Sequence, residues 1–471
     1  MRLRSKIFPQ ASDRGVAFRL VRRCGAALYL ESMTHQRGQQ AGHSDSKSGV
    51  VSIALAAGLA SHFDLPSPIE VHDFPEKGNI NQNTFLILAG HEKVRREYLL
   101  QQINPKVFAQ PRLVIRSMEA CIKAQNAARE SGVLPEGEEW EIPALVLTRH
   151  GDPFFEVAEG PGRGCWRLME KIRECRTFKS LSEIQDHRER LRVAEEAGRG
   201  LALFGSMISQ MDISVLSNPL PGYRDTALYY AQLFSLLEEN RTIEQAARYL
   251  PADSTIRQGT AQHFLVHLPH DEYSRRMDDH FIRQAIGLAR GQQHFALLLS
   301  REMRSGGIRV VAVHGDTKLE NFLFSMRTGR AKALVDLDTV MPHTWLSDWG
   351  DMTRSLVNTA GEKQTDSSRV SIDMEVYRAA ARGFLGSASG INPREIHLMP
   401  HAVEIMSLEL GVRFLADYLR GDSYFSPGPA DPLDINKVRA LTQFTLFERL
   451  REKRNEALGI IDEINQREPS F

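Results

Sequence analysis

The amino-acid sequence predicts an α+β protein in which a small sheet-rich lobe is followed by a large helical lobe. At 471 residues the chain exceeds what one hydrophobic core usually serves, so two lobes are expected. Strand-like apolar runs around one amphipathic helix fill the first third, whereas helical periodicity dominates from Glu183 onward. We therefore expect an N-terminal lobe over residues 47–176 and a C-terminal lobe over residues 177–471.

The N-terminal lobe is predicted to contain a small antiparallel sheet with one helix inserted between its strands. Helical periodicity covers residues 48–62, ahead of the sheet, and residues 111–129, within it. Apolar runs separated by polar turns predict the strands, which cover residues 83–88, 98–103, 144–148, 153–158 and 166–172.

The C-terminal lobe is predicted to be mainly helical. Residues 187–211 and 277–305 are long amphipathic segments, and residues 249–260 between them predict a connecting loop. Strand-like runs return at residues 309–313, 322–325 and 332–337. The chain is expected to end in helices near residues 373–382, 393–419 and 434–458.

The first residues do not enter the fold prediction. Residues 1–25 are basic, with Asp13 as their one acid, which is a pattern typical of an organelle transit peptide. Met33 offers an alternative start just before a polar segment without periodicity, which favours an over-long N-terminus. We expect residues 1–46 to be a disordered or over-long extension.

Composition points to a small-molecule partner in the cytoplasm. Lys and Arg total 59, as do Asp and Glu, so no net charge attracts the chain to nucleic acid or to a membrane surface. The four cysteines form no CxxC pair and indicate reduced thiols. The longest apolar stretch, which begins at Gly49, is too short to cross a bilayer. The oligomeric state stays open.

A His-Gly-Asp motif occurs twice, at residues 150–152 and 314–316. The first copy lies between two strand-like runs, where Gly-Asp is typical of a turn. The second copy lies between apolar segments that can hold its side chains still, and Asn321 follows Asp316 by five residues. That spacing is the spacing of the protein-kinase catalytic loop, in which the Asp accepts the hydroxyl proton and the Asn holds Mg2+.

A second magnesium ligand is expected where the next strand ends. Asp336 closes an apolar run, and Asp338 shares its face if the strand continues. Oxygen ligands in small number suit Mg2+, which keeps water and substrate phosphates around it. We expect Asn321 and Asp336 to hold the metal.

The residues around the catalytic loop are assigned supporting roles. Lys318 contacts the transferring phosphoryl group or is simply solvated, and the sequence leaves both possibilities open. His314 is expected to support the loop rather than act as a base. Asp348 and Asp351 are expected to cap helices or brace the loop rather than bind metal.

The segments "HGDTKLENFLF", "LVDLDTVMP" and "SDWGDMTRS" together resemble the aminoglycoside phosphotransferase and choline kinase superfamily. Within it the chain is most similar to the N-acetylhexosamine 1-kinases, which phosphorylate the anomeric hydroxyl of a sugar. The resemblance covers about residues 64–458. It implies a bilobal protein-kinase-like fold and an enzyme that uses ATP and Mg2+, with Asp316 and Lys318 in its catalytic loop.

The resemblance also implies contacts to the nucleotide in the N-terminal lobe. "GNINQNTFLI" is similar to the family's nucleotide-covering turn, which assigns Gly78, Asn79 and Asn81 to the phosphates. Gln102 lies on the predicted third strand, where members of the superfamily often carry a cation. Glu119 lies in the next helix, like the acid that usually pairs with that cation.

Acceptor contacts are implied near the C-terminal end. "GVRFLADYLRGDSYF" places Arg413 and Tyr424 where the family positions sugar contacts. Arg413 suits a neutral sugar better than a polycationic aminoglycoside. Two alternatives stay open: a kinase of the same fold that acts on an aminoglycoside, an amino alcohol or homoserine, and a nucleotide-binding pseudokinase, which the uncharged Gln102 would suit.

Overall fold

The structure is a computed structural model that describes residues 51–75, 80–81, 83–135, 137–425, 427–428 and 431–467. These residues belong to one compact unit, in which a sheet-rich part precedes a helical part. The predicted α+β class with two lobes is therefore confirmed. The extension predicted at residues 1–46 lies outside the described residues, and the lobe boundary after residue 176 stays a prediction.

An antiparallel sheet forms the N-terminal lobe, with helix α1 (Ile53–Ala60) before it and helix α2 (Pro111–Glu130) after its third strand. The strands pair in the order β1-β2-β3-β6-β4, and β5 also pairs with β6. They are β1 Ile69–Asp73, β2 Thr84–Ala89, β3 Arg96–Gln102, β4 Leu145–Val146, β5 Phe155–Val157 and β6 Gly164–Glu170. The predicted strands are confirmed to within a few residues. Edge strand β1 escapes sequence analysis because Ile69 and Val71 are its two apolar residues.

The two faces of this sheet contact different parts of the protein. Successive strand side chains point to opposite faces, so Tyr98 and Leu100 of β3 pack with the apolar cluster under α1. Gln101 lies on the other face, beside Arg167 of β6, which contacts the Met118 sulfur of α2. The face that carries Gln101 is therefore the one turned toward the C-terminal lobe.

Two short sheets frame the loops of the C-terminal lobe. Strands β7, β9 and β10 form one antiparallel sheet, and β8 pairs with β11. The bounds are β7 Cys175–Arg176, β8 Val311–Val313, β9 Phe322–Ser325, β10 Ala331–Leu334 and β11 Met341–His343. One loop therefore joins β8 to β9 and a second joins β10 to β11.

Helices make up the rest of the C-terminal lobe. They are α3 His187–Ile208, α4 Thr226–Leu237, α5 Ile243–Ala246, α6 Ser254–Thr260, α7 His270–Asp278, α8 His280–Ala296, α9 Leu298–Ser305, α10 Trp345–Val357, α11 Met374–Leu385, α12 Pro393–Arg420, α13 Ile435–Glu452 and α14 Arg454–Arg467. In the described part of the chain, none of the helices is both long and apolar enough to cross a membrane.

Capping side chains explain where helix boundaries differ from the prediction. The segment 277–305 is divided because the Asp279 side chain accepts the N–H groups that begin α8. The predicted loop 249–260 contains α6, which Asp253 caps in the same way. The single helix predicted at residues 434–458 is two helices that meet at Lys453.

The core of the C-terminal lobe is built by α3, α10, α11 and α12. Close contact between α3 and α11 requires glycine at their crossing. A Cβ added at Gly198 would lie 2.1 Å from the Ala380 carbonyl oxygen, and one added at Gly383 would lie 1.8 Å from the Glu195 carbonyl oxygen. This packed layer supports the two loops that carry the site.

Candidate active site

The loop between β8 and β9 is held at its backbone by one carboxylate. Asp348, buried in the first turn of α10, accepts the N–H of His314 at 2.7 Å and that of Gly315 at 2.9 Å. Its own carbonyl accepts the Thr317 hydroxyl at 2.7 Å. Burial raises the Asp348 pKa to about 7, and the two N–H donors act against that rise. The prediction that Asp348 braces the loop is confirmed.

His314 ties this loop to the loop between β10 and β11. Its Nε2 lies 2.9 Å from the Val335 carbonyl oxygen, and its Nδ1 accepts the Asp316 N–H at 3.3 Å. Burial lowers the His314 pKa and favours a neutral ring that donates through Nε2. The ring packs edge-on against Phe204. His314 supports the loop, as predicted.

Gly315 is held from the opposite side by two residues of the segment before α4. Its carbonyl oxygen accepts the Tyr223 hydroxyl at 2.9 Å and Arg224 Nη2 at 2.8 Å. Arg224 is buried and forms an ion pair with Asp351 at 2.7 Å. Gly315 has a φ of 84°, and an added Cβ would lie 2.5 Å from the Thr339 carbonyl oxygen. Glycine is therefore required at this position.

The three predicted residues of the catalytic loop lie together. Asn321 Nδ2 donates to the Asp316 carbonyl oxygen at 2.7 Å and lies 3.3 Å from Asp316 Oδ2. Lys318 Nζ is 3.1 Å from Asp316 Oδ2 and 2.9 Å from Glu320 Oε1. Burial lowers the Lys318 pKa, but the carboxylates of Asp316 and Glu320 outweigh it and leave the pKa well above its usual value. A positive charge therefore stands beside Asp316.

Asp336 faces the same space from the second loop. It adopts left-handed backbone angles, with a φ of 67°, which is uncommon for a residue other than glycine and typical of functional sites. Asp316, Asp336 and Asp338 line one cavity with Asn81 and Phe108 of the N-terminal lobe. Asp336 is exposed to solvent. Its pKa is nevertheless raised, first because the surrounding protein limits its hydration and then because the carboxylates of Asp338 and Asp316 repel its negative charge.

These residues fit a bound cation of the Mg2+ type. Three carboxylates share the cavity, and an incoming positive charge would relieve their mutual repulsion. In the described ranges, no donor contacts the Asp336 carboxylate, and no group of three or more His, Cys, Asp or Glu side chains could enclose a metal ion. A site with few protein ligands is what Mg2+ uses when phosphates complete its shell.

The residues predicted to contact the nucleotide are placed differently from one another. Gly78 and Asn79 lie outside the described residues. Asn81 lies at the cavity, where its Nδ2 donates to Asp338 Oδ2 at 2.8 Å. Gln102 points to the α1 side of the sheet, accepts Asn83 Nδ2 at 2.6 Å and donates to the Arg163 carbonyl oxygen at 2.7 Å.

Glu119 of α2 forms an ion pair within its own helix. Its carboxylate lies 2.9 Å from Lys123 Nζ, one helical turn further along α2. Roles for Gln102 and Glu119 at the nucleotide stay predictions.

Arg413 and Tyr424 are brought together beside the catalytic loop. They meet because Asp417, one turn after Arg413 on α12, accepts the Tyr424 N–H at 3.0 Å. The Arg413 guanidinium is half-buried and has no acid within ion-pair distance among the residues that the structure describes. Four rings surround it, with centroid distances of 4.9 Å to Tyr229, 5.3 Å to Phe425, 5.4 Å to Tyr223 and 5.9 Å to Tyr424. We call this group the Arg413 pocket.

Tyr223 joins the Arg413 pocket to the catalytic loop. Its ring lies against Arg413, and its hydroxyl holds the Gly315 carbonyl. Burial raises the Tyr223 pKa to about 12, and the nearby Asp316 carboxylate adds to the rise. Arg413 therefore lies near the loop that carries Asp316.

The chain matches the family model described as "APH: Phosphotransferase enzyme family" over residues 74–372. The match spans more than half of the chain and includes both loops of the site. The chain belongs to the phosphotransferase enzyme family. It is thus an enzyme, a kinase for small molecules that carry a hydroxyl group.

Solved structures of kinases are similar to this phosphotransferase over most of its length. The microcompartment-associated aminopropanol kinase has a TM-score of 0.47 and 13% identity, covering 86% of this chain and 98% of its own. An ethanolamine kinase of Plasmodium vivax has a TM-score of 0.42 and 12% identity, covering 82% and 83%. The ADP-bound aminoglycoside phosphotransferase APH(2'')-Ib has a TM-score of 0.37 and 10% identity, covering 86% and 97%.

The residues that hold the site of this phosphotransferase from distant segments carry no local signal in the sequence. Tyr223 and Arg224 lie in a segment without periodicity and far from Gly315 in the chain, so no local pattern marks them. Arg167 is equally hidden in a strand. The first His-Gly-Asp copy is the turn that was predicted, with Gly151 at a φ of 88° and the Asp152 carbonyl accepting the Thr148 N–H at 2.8 Å.

Proposed function

We propose that this phosphotransferase transfers the γ-phosphoryl group of Mg-ATP to the anomeric hydroxyl of an N-acetylhexosamine or a related sugar. One observation carries the proposal: Asp316 lines one cavity with Asp336, and Tyr223, whose ring lies against Arg413, holds the carbonyl of the neighbouring Gly315. A base placed between a nucleotide site and an acceptor site is what phosphoryl transfer needs.

The Asp316 carboxylate takes the proton from the acceptor hydroxyl as its oxygen bonds to the γ-phosphorus and the bond to the ADP oxygen breaks. Asn321 orients that carboxylate through its amide N–H, and Lys318 offsets negative charge beside it. Asn321 and Asp336 would hold Mg2+, which neutralises charge on the phosphates when it is bound. Because Asp348 and Arg224 hold the loop in advance, little reorganisation is needed at the moment of transfer.

The acceptor class follows from the chemistry of the Arg413 pocket. Among the residues that the structure describes, the Arg413 guanidinium has no acid within ion-pair distance, so its donors are available for ring hydroxyls or an acetamido carbonyl. The surrounding rings supply apolar walls for the faces of a sugar. A cationic acceptor would bring like charge next to Arg413, which disfavours aminoglycosides and amino alcohols.

Homoserine is the second candidate, because a free guanidinium also binds a carboxylate in a bidentate manner. A pseudokinase is disfavoured, since Asp316 and Asp336 line one cavity and Asn321 contacts the Asp316 carboxylate.

An acceptor panel tests the proposal. The full chain is incubated with Mg-ATP and N-acetylglucosamine, its methyl glycoside, glucosamine or homoserine, and the products are identified by phosphorus NMR. We expect a sugar 1-phosphate from N-acetylglucosamine or a related free sugar and no product from the glycoside, whose anomeric hydroxyl is blocked. Phosphorylation of the glycoside, or of homoserine alone, would refute the sugar assignment and leave the kinase assignment intact.

A further inference from the structure

The N-terminal lobe carries a buried cation on the face of its sheet that is turned toward the catalytic loops. Arg167 of β6 is 1% exposed and forms an ion pair with Asp338, which is 4% exposed. Its Nε and Nη2 donate to Gln101 Oε1 at 3.1 Å and 2.5 Å. The guanidinium is thus held by β3 and β6 together and reaches across to the C-terminal lobe.

A buried ion pair is a poor way to stabilise a fold. Removing two charges from water costs much of what their attraction returns, and apolar residues of similar size often confer more stability. Arg167 and Asp338 therefore call for a role besides stability.

The position of Asp338 indicates that role. Asp338 belongs to the turn Leu337–Thr339, which begins directly after Asp336. Its Oδ2 accepts a hydrogen bond from Asn81 Nδ2. The other amide atom of Asn81, Oδ1, accepts the Asn104 N–H at 3.0 Å. Asp338 is therefore clamped by two side chains of the N-terminal lobe, while Asp336 turns into the shared cavity.

The strand register places Arg167 directly opposite Gln101. Gln101 of β3 is the direct cross-strand partner of Arg167, and neither Gln101 nor Gln102 carries a charge. The positive charge on this face is therefore carried by β6, the strand next to β3, directly opposite Gln101.

We propose that Arg167 is a positioning residue for the nucleotide site. Through Asp338 it fixes the turn that presents Asp336 to the metal and its nucleotide. The inference rests on the proposed function, because it assumes that Mg-nucleotide binds at Asp336.

Nucleotide binding tests this role without knowledge of the acceptor. Calorimetry of the full chain compares ADP with Mg2+ and ADP with EDTA for wild type, Arg167→Gln and Asp338→Asn. We expect at least about ten-fold weaker binding of Mg-ADP in both variants and little change in the binding of free ADP. Arg112→Gln is the matched control, because this arginine pairs with Glu156 at the surface of the same lobe; its binding should equal that of wild type.

A strand swap provides the second measurement. Gln101→Arg combined with Arg167→Gln returns the guanidinium to the same face from the neighbouring strand, and it should restore most of the Mg-ADP affinity. A folded swap variant that binds as weakly as Arg167→Gln overturns the proposal, and so does failure of both variants to fold, which would make Arg167 a core residue alone. Equal loss of ADP binding with and without Mg2+ also overturns it.

The same experiment distinguishes the proposed function from the role of Arg167. Wild type that binds no Mg-ADP refutes the proposed function itself. Wild type that binds Mg-ADP, with a folded Arg167→Gln variant of equal affinity, refutes only the role of Arg167.

Discussion

Replacing Asp316 with Asn removes the proposed base and keeps the shape of the catalytic loop. In wild type, Asp316 Oδ2 lies 3.3 Å from Asn321 Nδ2 and 3.1 Å from Lys318 Nζ. An amide oxygen can keep the contact with Asn321, but the amide takes up no proton and no longer offsets the charge of Lys318. General-base catalysis is worth about 10²–10⁴-fold, or about 3–5 kcal/mol of the barrier. We expect kcat to fall by about 10²-fold or more.

The chain contains its own control, since the first His-Gly-Asp copy is a surface turn. Asp152→Asn makes the same chemical change in a turn that is closed by the backbone carbonyl of Asp152 rather than by its side chain. Release of ADP is followed for both variants with the acceptor found in the panel, and calorimetry reports nucleotide affinity. A wild-type rate in Asp316→Asn would remove this carboxylate from the mechanism. A loss of activity in folded Asp152→Asn would show that the catalytic copy was misassigned.

Four further changes have defined outcomes. Arg413→Ala should raise the acceptor KM by about 5- to 150-fold, because lost hydrogen bonds cost about 1–3 kcal/mol, and it should leave the KM for ATP unchanged. An equal rise in both constants would contradict a role for Arg413 in acceptor binding. Asp336→Ala should abolish the Mg2+ dependence of ADP binding, and persistence of that dependence would point away from this carboxylate. Gly198→Ala should lower the free energy of unfolding in urea by about 1–3 kcal/mol through overpacking, whereas Gly205→Ala in the same helix, with open space around it, should not lower it. Burial, and then the charge of Arg224, lowers the His343 pKa to about 4. The stability that the neutral ring contributes is therefore full above about pH 6.5 and is lost as the pH falls toward 4, because the unfolded chain takes up the proton first. Between pH 6.5 and 5 the free energy of unfolding should fall by about 2 kcal/mol, and His343→Gln should remove that fall.

Local spacing was enough to predict which groups of the candidate site lie close together. Asp316 and Asn321 are five residues apart on one loop between two apolar strands, and Asp336 follows the end of the next strand by two residues, so their proximity depends on little beyond hairpin geometry. Arg413 and Tyr424 meet for a similar reason, since Asp417 on the same helical face binds the backbone at Tyr424. Contacts between residues this close in the chain can be predicted from the sequence, because strand and helix periods repeat over a few residues.

Partners from distant segments were decided by the tertiary fold. Tyr223 reaches Gly315 only because the segment before α4 lies across the catalytic loop. Arg167 meets Asp338 because the register of β3 and β6 sets which face each side chain takes, and a one-residue change reverses that face. For the same reason Gln101, rather than Gln102, faces the C-terminal lobe. A single sequence records the alternation along each strand but not the register between strands, so the contact of Arg167 with Gln101 and Asp338 becomes visible only when the strands are paired.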